Sequence, residues 1–161
     1  MGEEGNGGTG DKEVHRKPLT MLTIFTLRKV PVMEKRRRVR TFEDLLVWQM
    51  SIDLVKRVYV LTASGLFTKD FGMRDQIRRA SVSIPTNIAE GFERLSRKEY
   101  LLFLNIAKGS AGEVRSLLRV ALEVGYMEEP IYESLRQDVA KLSAYMFNHM
   151  KAIRNSAART T

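Results

Sequence analysis

The sequence predicts an all-α fold, an antiparallel up-down-up-down bundle of four helices, and three observations carry that reading. Apolar residues recur at three- and four-residue spacing in four separate segments. Short, turn-rich stretches separate those segments, as antiparallel neighbours require. No run with strand alternation and no internal repeat interrupts the pattern.

The first segment spans Phe42 to about Thr62, with Thr41 or Asp44 as its cap. Leu45, Trp48, Ile52, Val55 and Tyr59 form one apolar stripe, and Val47, Leu54, Val58 and Leu61 form another beside it. A loop from Ala63 to Gly72 follows, with Gly65 and Gly72 as breakers.

The second segment places Met73, Ile77, Ala80, Ile84 and Ile88 on one face and ends at Gly91. Pro85 lies inside it, lacks a backbone donor, and is expected to kink the helix or mark its weakest turn. Gln76, Ser83, Asn87 and Glu90 share a strip about 90° around from the apolar face. Polar groups that border a core need partners, so specificity is expected on this strip.

The third segment opens with the capping box Ser96-Arg-Lys-Glu99 and runs to about Val124, with Gly125 as its stop. It has two apolar faces. One carries Tyr100, Phe103, Leu104, Ala107, Ala111, Val114, Leu118, Ala121 and Leu122. The other carries Leu102, Ile106, Leu117, Val120 and Val124, interrupted by Ser110 and Glu113. A helix apolar on two sides is either central or part of a subunit interface. The fourth segment starts near Pro130 and lines up Ile131, Leu135, Val139, Leu142, Met146, Met150 and Ile153. The bundle is thus expected over residues 41–154, with a frayed tail over 155–161.

The 161 residues suffice for one domain with a substantial core. Cysteine is absent, which removes disulfides and thiolate metal sites and fits a reducing compartment, so the expected location is cytoplasmic. The net charge of +8 is uneven. Residues 1–40 hold 10 Lys+Arg against 5 Asp+Glu, whereas 41–161 hold 17 against 14. Residues 1–40 read as a disordered basic leader. The apolar run Leu19 to Leu27 is too short to cross a bilayer and is followed by no small-residue cleavage site, so no membrane role is expected.

Chemistry-bearing motifs are missing. The two histidines, His15 and His149, form no Glu-x-x-His pair, and no phosphate loop, nucleophile elbow or zinc spacing occurs. No catalytic residue, metal, cofactor or small-molecule substrate is therefore expected. Glu90 and Glu113 read better as acceptors of helix-to-helix hydrogen bonds than as an acid/base pair.

From about Arg40 to Arg154 the chain resembles the bacterial four-helix-bundle family of proteins encoded in intervening sequences of 23S rRNA genes. The carrying motifs are Phe42-Glu-Asp-Leu45, Val47-Trp-Gln49, Gln76-Ile-Arg-Arg-Ala80, Ser83-Ile-Pro-Thr-Asn-Ile-Ala-Glu-Gly91, Ser96-Arg-Lys-Glu-Tyr100, and Ala107-Lys-Gly-Ser110 with Glu113. Phe67-Thr68 departs from the Phe-Pro expected in the first loop. The resemblance implies a ring-shaped homopentamer and no known reaction. The accessory protein of diversity-generating retroelements, a similar pentameric bundle, binds a reverse transcriptase and RNA. The expectation is a non-enzymatic oligomeric binding protein with an RNA or ribonucleoprotein partner. The rival is a protein-binding adaptor or structural oligomer with no nucleic-acid role.

Two residue sets follow. Gln76, Ser83, Asn87, Glu90, Ser110 and Glu113 are expected to form a structural polar network, with Arg78 or Arg79 balancing the carboxylates. Lys35, Arg36, Arg37, Arg38 and Arg40, with Arg74, Arg78, Arg79, Arg94, Arg97 and Lys98, are the candidate nucleic-acid contacts.

Overall fold

A computed structural model describes residues 39–157. These form four helices and no strand: α1 Leu46–Leu61, α2 Phe71–Glu93, α3 Arg97–Glu123 and α4 Glu129–Ala157. Each helix packs on its sequence neighbours, and α1 also packs on α4, which closes a four-helix bundle.

The pairings run antiparallel. Along α2 and α3, Gln76 meets Glu113, Ser83 meets Ser110, and Gly91 meets Phe103. Along α3 and α4, Arg119 lies over Tyr132, Tyr100 meets His149, and Arg97 meets Ser156. The core is the set of inward faces: Val47, Leu54, Val58 and Leu61 of α1, Ile77, Ile84 and Ile88 of α2, Leu104, Val114 and Leu118 of α3, and Leu135, Val139, Leu142 and Met146 of α4. Of the two α1 stripes, the one ending at Leu61 is buried, while Trp48, Ile52 and Val55 are half-buried and Tyr59 is exposed.

Three element boundaries differ from the sequence reading. The first α-helix starts at Leu46, because Phe42–Asp44 forms a separate 3₁₀ turn. The Asp44 carboxylate accepts from the amides of Arg40 and Thr41, and the Phe42 ring meets Trp48 edge-on. The second helix starts at Phe71, with Gly72 inside it. Asp70 caps that end, accepting from the Met73 amide at 2.9 Å. Gly91 is not the stop: α2 continues to Glu93 and Gly91 keeps a negative φ.

Pro85 is buried within an uninterrupted α2, because tertiary packing around Ile84 and Ile88 outweighs the lost hydrogen bond. Gly125 is the expected stop, with φ of 76°. The Tyr126 amide reaches the Ala121 carbonyl and the Gly125 amide reaches that of Leu122, a paired closure that requires a left-handed residue between them. The fourth helix extends as far as Ala157.

Candidate functional site

The polar residues singled out on α2 and α3 divide into three groups. Ser83 Oγ lies 2.9 Å from Ser110 Oγ, and Asn87 Nδ2 donates to the Ser83 carbonyl at 2.7 Å and to its Oγ at 3.0 Å. One turn or more away, Gln76 Nε2 donates to Glu113 Oε1 at 2.6 Å, and Arg79 donates to Gln76 Oε1 at 3.1 Å. Glu90 stands apart from both and pairs with Arg94 at 2.6 Å. The Ser83, Asn87 and Ser110 side chains are half-buried; Gln76, Glu90 and Glu113 are exposed. The geometry thus places these residues along the outer seam between α2 and α3 and not inside the core.

Antiparallel packing separates the candidate cations. Arg74, Arg78 and Arg79 lie in the first half of α2, and Arg94 lies just past its end, about 22–30 Å away at 1.5 Å per residue. Arg94 accompanies Arg97 and Lys98 at the start of α3 and Arg40 before α1, because the Phe42–Asp44 turn packs on α2 and helix direction alternates. Lys151 and Arg154 near the end of α4 join them. Lys35, Arg36, Arg37 and Arg38 lie outside the described residues.

The two groups differ in how they are held. Arg78 donates through Nε to Thr62 Oγ1 at 2.7 Å and stacks over the Tyr59 ring at 4.7 Å, and Arg74 stacks over Phe71. Arg78 and Arg79 line a shallow, open groove between α1 and α2, with Tyr59, Val82 and Thr86. At the other end, hydrogen bonding to Glu90 pushes the Arg94 guanidinium further up, and Arg94 also covers the Phe103 ring. Arg97 donates to Ser156 at 3.2 Å. Among the described residues no carboxylate lies within ion-pair distance of Arg97 or Lys98.

Several interhelix contacts carried no sequence signal strong enough to find them. Arg57 of α1 is ion-paired with Asp138 of α4 and donates to Ser134 at 2.9 Å. Tyr126, after α3, donates to Asp70 at 2.9 Å and meets Phe67 edge-on. Tyr100 and His149 share a hydrogen bond of 2.8 Å; burial pushes the phenol up to about 12 and the imidazole below its ordinary range. The one hint was at Arg57, a charge set beside two apolar stripes.

None of these groups is arranged as a catalytic or metal centre. Among the described residues no cluster of His, Asp or Glu could hold a metal ion. No described helix is long and apolar enough to cross a membrane.

Comparison with known proteins agrees with the fold. A solved structure from Bacteroides thetaiotaomicron VPI-5482, a protein of unknown function from the S23 ribosomal protein family, is similar, with a TM-score of 0.61 and 28% sequence identity. The match covers 66% of this chain and 99% of that one. No curated protein matches. The profile of the 23S rRNA-intervening sequence proteins matches residues 43–148, nearly the whole bundle, and the chain belongs to that family.

Proposed function

We propose that the protein is a non-enzymatic, oligomeric binding protein whose partner is RNA or an RNA–protein complex. The observation that carries this reading is the gathering of Arg40, Arg94, Arg97 and Lys98 at one end of the bundle. The run Lys35 to Arg38 directly precedes that end in sequence. Each chain contributes only a modest positive excess, so affinity comes from repetition. In a cyclic assembly every copy presents the same end on one side, and several weak phosphate contacts act together. No base-reading module is present in the sequence, so the reading is shape-directed contact with structured RNA.

Titration of a fluorescent structured RNA at several salt concentrations tests it. Affinity falls steeply as salt rises, and the slope becomes shallower when residues 35–40 are removed or when Arg97 and Lys98 are changed to Gln. No binding at low salt overturns the RNA reading. The protein-binding adaptor then takes its place, a reading favoured by the exposed apolar row on α3 with its single carboxylate.

A further inference from the structure

The outward face of α4 carries chemistry that neither the core nor the basic end of the bundle absorbs. From Val139 to Ala157 the helix holds no Asp or Glu, yet it holds Lys141, Lys151 and Arg154. Leu142, Met146 and Met150 fill the inward face of this stretch. On the outward face Tyr145 is 49% and Phe147 is 52% exposed, and all three cations are exposed as well.

The face is ordered in two ridges. Phe147, Lys151 and Arg154 follow one another at steps of four and three residues, so they line one side of the helix. Lys141, Tyr145 and Asn148 follow at the same steps, about 120° further around. Each ridge combines one ring with at least one cation, and the small Ala144 lies between them. Among the described residues no carboxylate lies within ion-pair distance of Lys141, Lys151 or Arg154. Neither ring stacks on another described side chain.

We propose that this face is a platform for an unpaired segment of RNA, with Tyr145 and Phe147 stacking on bases and Lys141, Lys151 and Arg154 meeting phosphates. The proposal rests on the RNA reading above and adds which part of the RNA is gripped and which helix grips it. Four observations favour that occupant. First, the face is purely cationic, which suits a phosphate backbone. Two copies of it set against each other would oppose cations with no carboxylate between them. Second, compensation of the helix dipole accounts for Arg154 in the last turn, but it does not reach back to Lys141 or explain the rings. Third, a duplex keeps its base faces inside the stack, so exposed rings find base faces on unpaired nucleotides. Fourth, the face runs into the basic end, since Arg97 donates to Ser156 at 3.2 Å. The distance along the axis from Lys141 to Arg154 is about 20 Å at 1.5 Å per residue. That is the length of about six stacked nucleotides at about 3.4 Å each.

The test reads fluorescence anisotropy of the full chain with two labelled probes, an oligouridylate longer than this track and a blunt RNA duplex of equal length. Tyr145→Ala and Phe147→Ala are each expected to weaken single-strand binding about 5- to 150-fold, the loss of one stacked base, and to leave duplex binding unchanged. Tyr145→Phe should keep the affinity, because the ring remains. The alanine variants should also leave the salt dependence as it was, whereas Lys141→Gln or Lys151→Gln should lower its logarithmic slope by about 0.7. Both aromatic positions are exposed and alanine favours a helix, so the fold should hold. Circular dichroism verifies that, and Gln at the same positions is the second choice. Single-strand affinity indifferent to both alanine variants overturns the proposal and leaves the RNA reading standing. Binding of neither probe at low salt overturns both. A changed oligomer mass by light scattering in either alanine variant would assign the face to contact between copies and overturn the proposal too. Single-strand binding that depends on Tyr145 and Phe147 but ignores Arg97→Gln with Lys98→Gln supports the α4 platform and removes the basic end as the carrier of the RNA reading.

Discussion

Gly91 of α2 lies against Phe103 of α3 so closely that a Cβ at position 91 would sit 2.6 Å from the Phe103 Cβ and 3.1 Å from Tyr100 Cδ2. The glycine is required here by the approach of two helices, since its φ is not positive. Helix propensity alone would make Gly91→Ala stabilising by about 1 kcal/mol. Overpacking reverses the sign, and the expected net effect is a loss of about 1–3 kcal/mol in urea unfolding. A gain in stability would show that α3 yields at Phe103.

Arg57 and Asp138 tie α1 to α4 as a largely shielded ion pair, with side chains 16% and 22% exposed. Removing one partner strands the other. Asp138→Ala is expected to cost about 3 kcal/mol, the low end for breaking a buried pair. The paired replacement Arg57→Met with Asp138→Leu is expected to recover most of that loss. A double-mutant cycle reads the coupling, and additive losses would refute it.

The Asp70 carboxylate is held below its ordinary 3.8 by the Met73 amide first and the Tyr126 hydroxyl second. A depressed carboxylate contributes stability that is fully present above its unfolded pKa and is lost as pH falls through the folded value. Thermal melts should therefore show Asp70→Asn converging with the unmodified chain as pH drops below about 3.8. Tyr126→Phe should converge in the same window with a smaller initial gap. A gap that persists unchanged in acid would place the effect in packing against Phe67.

His149 is held below 6.5 by burial, so the folded chain favours its neutral form. Its contribution is present above the unfolded pKa and is lost as pH falls below 6.5 and through the folded value. Carboxylates ordinarily titrate well below an imidazole, so the interval just below 6.5 belongs to His149. His149→Gln, which retains a donor for Tyr100, is expected to flatten melting temperature against pH across that interval. An unchanged slope would refute the assignment.

Helix number, direction and most of the core were legible from periodicity, because an inward-facing residue must be apolar at every turn. Val114 and Leu118 on α3 and Leu135, Val139 and Leu142 on α4 are buried on the faces their spacing marked. Ser96 and Gly125 marked the ends of α3, since a cap and a left-handed closure each demand a particular residue type. The second apolar face of α3 was equally visible, and so was its polar interruption at Ser110 and Glu113.

Other features depended on partners distant in sequence. Gly91 reads as a helix stop until Phe103 is set beside it. Asp70 reads as a loop residue until Phe71 opens a helix and Tyr126 returns across the end of the bundle. Arg74 and Arg94 read as one basic set, yet the length of α2 puts them at opposite ends. Periodicity reports which side of a helix avoids water, and that information is local. Which neighbour covers that side, and which charges share an end, are set by the antiparallel register, which only the packed helices establish.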